Sequence, residues 1–315
     1  MIKGITCGAL AGAVWGGVFL VPQILADFSP LELMTGRYVA YGLVSLLLLL
    51  PVLKRVLPQL QRHDWITLLW LSVAGNLVYY LLLSVAVQRV GVAPTSLVIG
   101  MLPVLVTLVG VTGHNAIPIR QLALPLLAIV AGVACTSHDV FSAALPADLA
   151  QDAGSKAIGL LAAAGALVAW SAYAVGNARH LAKRPDLSSH DWSLLTGVIT
   201  GALALIAALP LLLPGASAAA PARSWGVFTL MMIGLAIGPS VIGTGLWNAA
   251  TRRLPLTLGG QMIIFETVFA LLYGFLHEGR LPRPLEIAAI VLLLGGVAAS
   301  SWVHATQAPP PGHAG

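Results

Sequence analysis

The run at residues 254–276, LPLTLGGQMIIFETVFALLYGFL, constrains the fold more than any other stretch of the chain. About 20 helical residues cross the ~30 Å hydrocarbon layer of a bilayer, so this run is long and apolar enough to span it. Glu266 lies near its middle. Because a carboxylate at that depth costs at least ~2.5 kcal/mol, we expect Glu266 to face protein or water rather than lipid.

Similar apolar runs recur along the chain, and the composition agrees with them. Of the 315 residues, 58% are hydrophobic and only 9% are charged, whereas a soluble domain carries roughly 25% charged residues. The sequence therefore predicts an all-α polytopic membrane protein. The net charge of +5 does not indicate nucleic-acid binding, because the basic residues lie between apolar runs and form no cluster with exposed aromatic residues.

Sequence signatures of enzymes and metal sites are missing. The chain contains no HExxH, no GxSxG and no glycine-rich phosphate loop. Cys7 and Cys135 lie inside apolar runs and have no disulfide or metal spacing, and the eight histidines fall in predicted loops or at helix ends. We predict that the protein is not an enzyme and has no cofactor and no metal site.

Ten apolar segments are predicted to form transmembrane helices. The first begins GITCGALAGAVWG, in which glycines at every fourth position give one face without side chains, so that a neighbouring helix can approach closely. The ten predicted segments are 4–25, 30–53, 64–88, 92–113, 118–137, 156–178, 192–213, 224–250, 254–276 and 284–303.

An internal repeat relates two halves of the chain. AVQRVGVAPTSLVIGMLPVLVTLVG, at residues 86–110, aligns without a gap with ATRRLPLTLGGQMIIFETVFALLYG, at residues 250–274. We therefore predict a duplicated five-helix unit. Its parts are a first repeat at 1–137, an outer connecting loop at 138–155, a second repeat at 156–305 and a disordered tail at 306–315.

The loop charges predict the orientation. With both termini in the cytoplasm, most basic residues fall on the inner side and most acidic residues on the outer side, as the positive-inside rule expects. Because five is an odd number of spans, the second repeat must be inverted relative to the first. Inverted repeats are a recurring plan of secondary transporters, which bind their substrate near the midplane between the halves.

Several motifs together resemble the drug/metabolite transporter superfamily, and more closely its EamA-type exporters. They are Trp15 after the glycine-rich start, the pair Arg37-Tyr38, and the two aligned hairpins. The resemblance implies a ten-helix exporter of the inner or plasma membrane, with a cavity lined mainly by helices 1, 3, 4, 6, 8 and 9. Relatives usually read Glu-Pro in the ninth helix, whereas here Thr267 follows Glu266. The fourth helix keeps Pro103, which predicts a kink there.

Two charged residues inside the spans are candidates for transport. Glu266 is a candidate for proton coupling, because a carboxyl group in a low-dielectric cavity can bind a proton on one side and release it on the other. The alternative is a structural acid that accepts hydrogen bonds from a neighbouring helix. Arg37 is a candidate charge partner for Glu266 or for an acidic substrate, or it extends its head group to the outer surface.

A second group of candidates would line the cavity with aromatic faces and amide groups, which suit a compact organic solute. Trp65, Trp192, Trp225 and Trp302 lie near predicted helix ends and are assigned instead to the aromatic belt at the membrane interface. The cavity candidates are Trp15, Asn76, Tyr79, Tyr80, Trp170, Tyr173, Asn177, Trp247, Asn248 and Gln261.

The sequence thus favours a secondary transporter that exports amino acids or related metabolites by alternating access, with or without proton coupling. An uncoupled channel or uniporter and a non-transporting membrane scaffold are the alternatives. The expected partners are a small solute and the lipid bilayer, without nucleic acid. The sequence leaves the solute, the direction, the coupling ion and homodimerisation open.

Overall fold

The computed structural model describes residues 2–102, 104–105, 119–142, 152–212, 223–251, 253 and 264–307. All regular structure in these residues is helical. The α-helices are α1 (Ile2–Ile24), α2 (Pro30–Leu49), α3 (Leu53–Val56), α4 (Arg62–Ser72), α5 (Tyr79–Val90), α6 (Val92–Ile99), α7 (Ile119–Ser142), α8 (Ala153–Lys183), α9 (Ser189–Ala207), α10 (Trp225–Ile237), α11 (Thr244–Thr251), α12 (Ile264–Glu278) and α13 (Pro284–Gln307).

Seven helical segments of the described residues are long and apolar enough to cross a membrane. An eighth apolar helix, Pro284–Ala299, is shorter. The prediction of an all-helical polytopic membrane protein is confirmed. The count of ten spans stays a prediction, because the predicted helices at 92–113 and 254–276 lie partly outside the described residues. The seven segments are Ile2–Ile24, Pro30–Gln59, Arg62–Val90, Ala123–Ser142, Ala153–Lys183, Ser189–Leu212 and Trp225–Trp247.

Side-chain caps fix the beginnings of several helices. The hydroxyl of Ser29 accepts the backbone N–H of Glu32, and the Glu32 carboxylate accepts the backbone N–H of Ser29 at 2.7 Å. Asp152 and Ser188 cap α8 and α9 in the same way, each through its side-chain oxygen. These bonds satisfy backbone donors that have no partner within the first turn of a helix.

Several predicted boundaries differ from the observed helices, among them one in the connecting loop and one at the tail. We placed Asp139 in the connecting loop at 138–155, but α7 continues through Ser142. The charge of Asp139 is compatible with a helix there because Arg283 lies 2.6 Å from its carboxylate. We began the disordered tail at residue 306, whereas α13 continues through Gln307. Residues 308–315 lie outside the described residues.

Two helices contain a widened, π-helical turn. One turn, Val73–Val78, joins α4 to α5, and the other, Gly238–Gly243, joins α10 to α11. An aromatic side chain packs against a glycine of each turn, because a methyl group on Gly75 would overlap the ring of Tyr173 and one on Gly243 would lie 2.5 Å from Trp15 Nε1. The widened turns therefore admit one aromatic residue from α8 and one from α1.

Glycines bring distant helices into close contact. A methyl group on Gly132 of α7 would lie 2.6 Å from Cγ of Leu293 in α13, and one on Gly296 would lie 2.7 Å from Cγ1 of Ile129. If the gapless alignment of residues 86–110 with 250–274 is extended to this region, Gly132 corresponds to Gly296 and Ile129 to Leu293. The two contacts are therefore equivalent under the internal repeat. Backbones that approach this closely gain van der Waals packing, the main attraction between helices in lipid.

Ion pairs connect the helix ends. Arg223 contacts Glu32 at 2.8 Å, and Arg280 contacts both Glu278 and Glu286 at 2.6 Å. The hydrogen bond to Glu286 is the largest of the effects that raise the pKa of Arg280, so this guanidinium stays charged. The Arg223–Glu32 pair joins the start of α2 to the segment just before α10, which is distant in the sequence, whereas the Arg280 pairs fix the short connection between the consecutive helices α12 and α13.

Candidate functional site

A cavity of about 390 Å³ lies between the helices. This volume falls within the range of small-molecule sites, about 300–1,000 Å³. The residues that line it are Trp15, Val18, Arg37, Tyr38, Tyr41, Asn76, Tyr79, Trp170, Tyr173, Asn177, Leu181, Ser189, Trp192, Ser193, Thr196, Pro239, Ser240, Thr244, Trp247 and Glu266.

The structure brings most of the sequence candidates to this cavity. Tyr80 is an exception, because it is fully buried behind the wall and does not line the cavity. Gln261, Pro103 and the side chain of Asn248 lie outside the described residues. The candidates on the wall are Trp15, Arg37, Asn76, Tyr79, Trp170, Tyr173, Asn177, Trp247 and Glu266.

The aromatic rings that the sequence predicted for the wall form two groups. The rings of Trp15 and Trp247 lie 5.4 Å apart, between α1 and α11. The ring of Trp170 lies 6.2 Å from Tyr79 and 6.0 Å from Tyr173. Aromatic pairs at 4.5–7 Å are favourable contacts, so these rings hold one another in place and offer their remaining faces to the cavity.

The two amides on the wall are each held by a hydrogen bond. Asn76 donates to the hydroxyl of Thr200 at 2.9 Å, and Asn177 accepts from the indole N–H of Trp192 at 2.8 Å. Each bond uses one polar atom of the amide. The other polar atom of each amide, Asn76 Oδ1 and Asn177 Nδ2, has no hydrogen-bond partner among the described residues.

Arg37 is a buried cation stacked on aromatic rings. Its guanidinium lies 4.2 Å from the ring centroid of Tyr80 and 5.2 Å from that of Tyr38, and the residue is only 8% exposed. Nε and Nη1 have no hydrogen-bond partner among the described residues. A desolvated cation–π contact contributes about 2 kcal/mol, so Tyr80 holds the charge in place from behind the wall.

Glu266 lies in the first turn of α12 and is partly buried. It forms no ion pair with any residue that the structure describes, Arg37 included, although both line the same cavity. The glycine face of α1 brings this turn close, because a methyl group on Gly12 would lie 2.6 Å from Cβ of Phe265. The α12 helix continues without interruption through Thr267, the residue at which relatives usually have proline.

Sequence reasoning missed several residues of the wall. We assigned Trp192 to the membrane interface, but it is 2% exposed and lines the cavity, because Asn177 accepts its N–H. The other polar residues that we missed come mainly from the second and seventh spans. The available signal was polar side chains spaced by three or four residues within an apolar run. Such residues are Tyr38 and Tyr41 in α2, Trp192, Ser193 and Thr196 in α9, and the pair Ser240 and Thr244.

Comparison with known proteins agrees with this arrangement. The model of the EamA-like transporter family matches residues 2–137 and again residues 157–302. The chain belongs to the EamA-like transporter family. The predicted resemblance to the drug/metabolite transporter superfamily is thereby confirmed, and the family assignment supports a membrane transporter.

Two individual proteins are similar to this EamA-like chain. Inner membrane protein YtfF of Escherichia coli (strain K12) is 34% identical over 310 residues, which cover 94% of each protein. A protein of known crystal structure superposes with a TM-score of 0.61 at 22% identity, over 98% of this chain and 100% of that one. The first similarity supports a multi-pass protein of the inner membrane, and the second shows the fold alone.

Proposed function

We propose that this transporter exports a small organic solute with both amino and carboxylate character by alternating access, with a proton as the coupling ion. The observation that supports this proposal is one cavity that contains a buried cation, Arg37, and an acid without an ion-pair partner among the described residues, Glu266. Two opposite charges on one wall complement a zwitterion.

The rest of the wall supports a compact solute. The aromatic faces of Trp15, Trp170 and Tyr79 suit the carbon skeleton or the ammonium group, because a cation is attracted to the face of a ring. The free atoms of Asn76 and Asn177 supply one acceptor and one donor. Amino acids and related metabolites combine these features at a size that fits about 390 Å³.

Alternating access requires two halves that can move relative to each other. The proposal places two inverted five-helix repeats at 1–137 and 156–305, with both termini in the cytoplasm, and three observations support the duplication. The family model matches the chain twice. The π-helical turns Val73–Val78 and Gly238–Gly243 interrupt corresponding spans. Gly132 and Gly296, which correspond to each other in the internal repeat, make equivalent contacts with Leu293 and Ile129.

Glu266 is the group that we assign to coupling. A solute ammonium group and a proton would compete for the same carboxylate, so that binding of one releases the other. This competition is how a single acid exchanges an outward-moving cationic group for an inward-moving proton. Close packing of α1 against the backbone around Glu266 holds this turn at the cavity, on whose wall Glu266 lies.

Counterflow in proteoliposomes tests the proposed function. Vesicles loaded with an unlabelled amino acid should accumulate the labelled form at a saturable rate, and a screen of amino acids and analogues should identify the solutes. Flux without saturation or exchange would contradict the carrier mechanism and favour a channel, which single-channel recording would detect. No flux for any solute would favour a scaffold.

A further inference from the structure

Two histidines and an aspartate meet at one end of the molecule, away from the cavity charges. His63 and Asp64 lie in the first turn of α4, and His180 lies in the last turn of α8. Asp64 Oδ1 lies 3.2 Å from Nε2 of His63 and 2.9 Å from Nε2 of His180. The three potential ligand atoms lie within 4.8 Å of one another.

The closest pair in this cluster is a contact between two potential ligand atoms. Asp64 Oδ1 and His180 Nε2 lie 2.9 Å apart as an ion pair, and neither atom forms a hydrogen bond of good geometry with a described residue. The side chains are 0% and 7% exposed, respectively. Buried polar atoms are normally satisfied, so two such atoms side by side are suited to share a third, positively charged partner.

Neighbouring groups fix the orientation of both buried ligands. Arg184 and the backbone N–H of Gln61 bind Oδ2 of Asp64, so that Oδ1 is the carboxylate oxygen that contacts the two imidazoles. The ring of His180 stacks on Trp192, with centroids 4.5 Å apart and an angle of 21° between the planes. Outer contacts of this kind orient the ligands of metal sites.

The ion-paired groups at the cluster carry a net negative charge. Asp186 lies 2.7 Å from Arg184 and offsets its positive charge. Two carboxylates, of Asp64 and Asp186, and one guanidinium leave one net negative charge when both imidazoles are neutral. A divalent ion would therefore enter a site of opposite charge.

We propose that His63, Asp64 and His180 bind a divalent transition-metal ion of the Zn²⁺ class. Two imidazoles and a monodentate carboxylate are a common set of three protein ligands, and water would take the fourth position. Bonds of about 2.0–2.2 Å require ligand atoms somewhat closer together than 4.8 Å. The ring of His63 is 54% exposed and can rotate to close this distance.

A metal ion here would tie the two predicted halves together. His63 and Asp64 belong to the third predicted span, and His180 belongs to the sixth. Because alternating access requires the ends of these spans to separate or approach, a bridging ion would hold the transporter in one state. Sequence reasoning considered only neighbouring histidines, and His63 and His180 are far apart in the chain.

Binding of Co²⁺ to the purified full-length chain tests the site. Co²⁺ bound by nitrogen and oxygen ligands absorbs visible light, so the absorbance reports the site directly and does not depend on transport. The intact chain should bind one Co²⁺, and Zn²⁺ should displace it. His180→Ala and His63→Ala should each weaken binding at least about tenfold, whereas the exposed His190→Ala, a matched control, should not.

The result that overturns the proposal is absence of Co²⁺ binding by the intact chain, or equal binding by His63→Ala, His180→Ala and the intact chain. The first result would leave a histidine–aspartate ion pair as the role of the cluster. If His180→Ala does not fold, His63→Ala decides, because this exposed ring makes little contribution to packing. Failure of the counterflow experiment would not affect this measurement.

Discussion

Trp15 of α1 donates its indole N–H to the carbonyl oxygen of Pro239, 2.9 Å away, in the π-helical turn between α10 and α11. Pro239 has no N–H, so it cannot bond to the carbonyl of Leu235, and the hydroxyl of Ser240 donates to that oxygen at 3.4 Å instead. Side chains thus satisfy backbone groups that an irregular turn exposes, as the interior of a membrane protein requires.

Trp15→Phe should lower stability by about 1 kcal/mol, because the carbonyl oxygen of Pro239 loses its partner in a site shielded from water. Thermal unfolding of the purified protein in detergent would measure the change. Trp65→Phe is the matched control, since Trp65 is 37% exposed and lies at a helix start. Equal effects of the two substitutions would contradict a specific role for the Trp15 hydrogen bond.

Glu266→Gln should keep solute exchange and lose its stimulation by a pH gradient, because the amide fills the same space but does not bind and release a proton. The measurement is counterflow and pH-driven flux in the same proteoliposomes. Asp27→Asn replaces an exposed acid between α1 and α2 and should change neither. An unchanged pH response of Glu266→Gln would return this residue to a structural role.

Arg37→Met should reduce solute transport at least about tenfold while the melting temperature stays the same or rises. A buried charge without an ion-pair partner among the described residues costs desolvation energy that an apolar side chain of similar length avoids. Arg62→Met, at an exposed position, should leave transport unchanged. A large fall in stability with normal flux per folded molecule would show that Arg37 is structural.

Gly132→Ala and Gly296→Ala should each destabilise the protein by about 1–3 kcal/mol, because the added methyl group would lie less than 3 Å from atoms of the facing helix. The two substitutions should have similar effects, because the two glycines make equivalent contacts in the internal repeat. Gly295→Ala should be neutral, because a methyl group there meets no described atom within 4 Å. Thermal unfolding of the three variants side by side checks both statements.

Single cysteines test the orientation. With both termini in the cytoplasm, a cysteine at His190 should react with a membrane-impermeant reagent only in inverted vesicles, and one at Asp27 only in intact cells. Both positions are exposed. The background is Cys7→Ser with Cys135→Ser, the two native cysteines. Labelling of both sites from one side would contradict the predicted topology.

The sequence by itself determined that the chain crosses a membrane as helices, because span length and the cost of charge in lipid depend only on neighbouring residues. It also indicated the family, through hairpins that are continuous in the chain. Deep aromatic and amide residues could be selected for the same local reason. Trp15, Trp170 and Asn76 were predicted in this way, and they lie on the wall of the cavity.

Only the tertiary structure decided which distant side chains meet. Tyr80 lies behind the wall as a support for Arg37, and Trp192 faces inward because Asn177, on another helix, accepts its N–H. The His63–Asp64–His180 cluster exists only because the end of α8 folds back onto the start of α4. The position of a residue within its apolar run determines its depth in the bilayer. The surroundings of its side chain depend on which helix packs against that face.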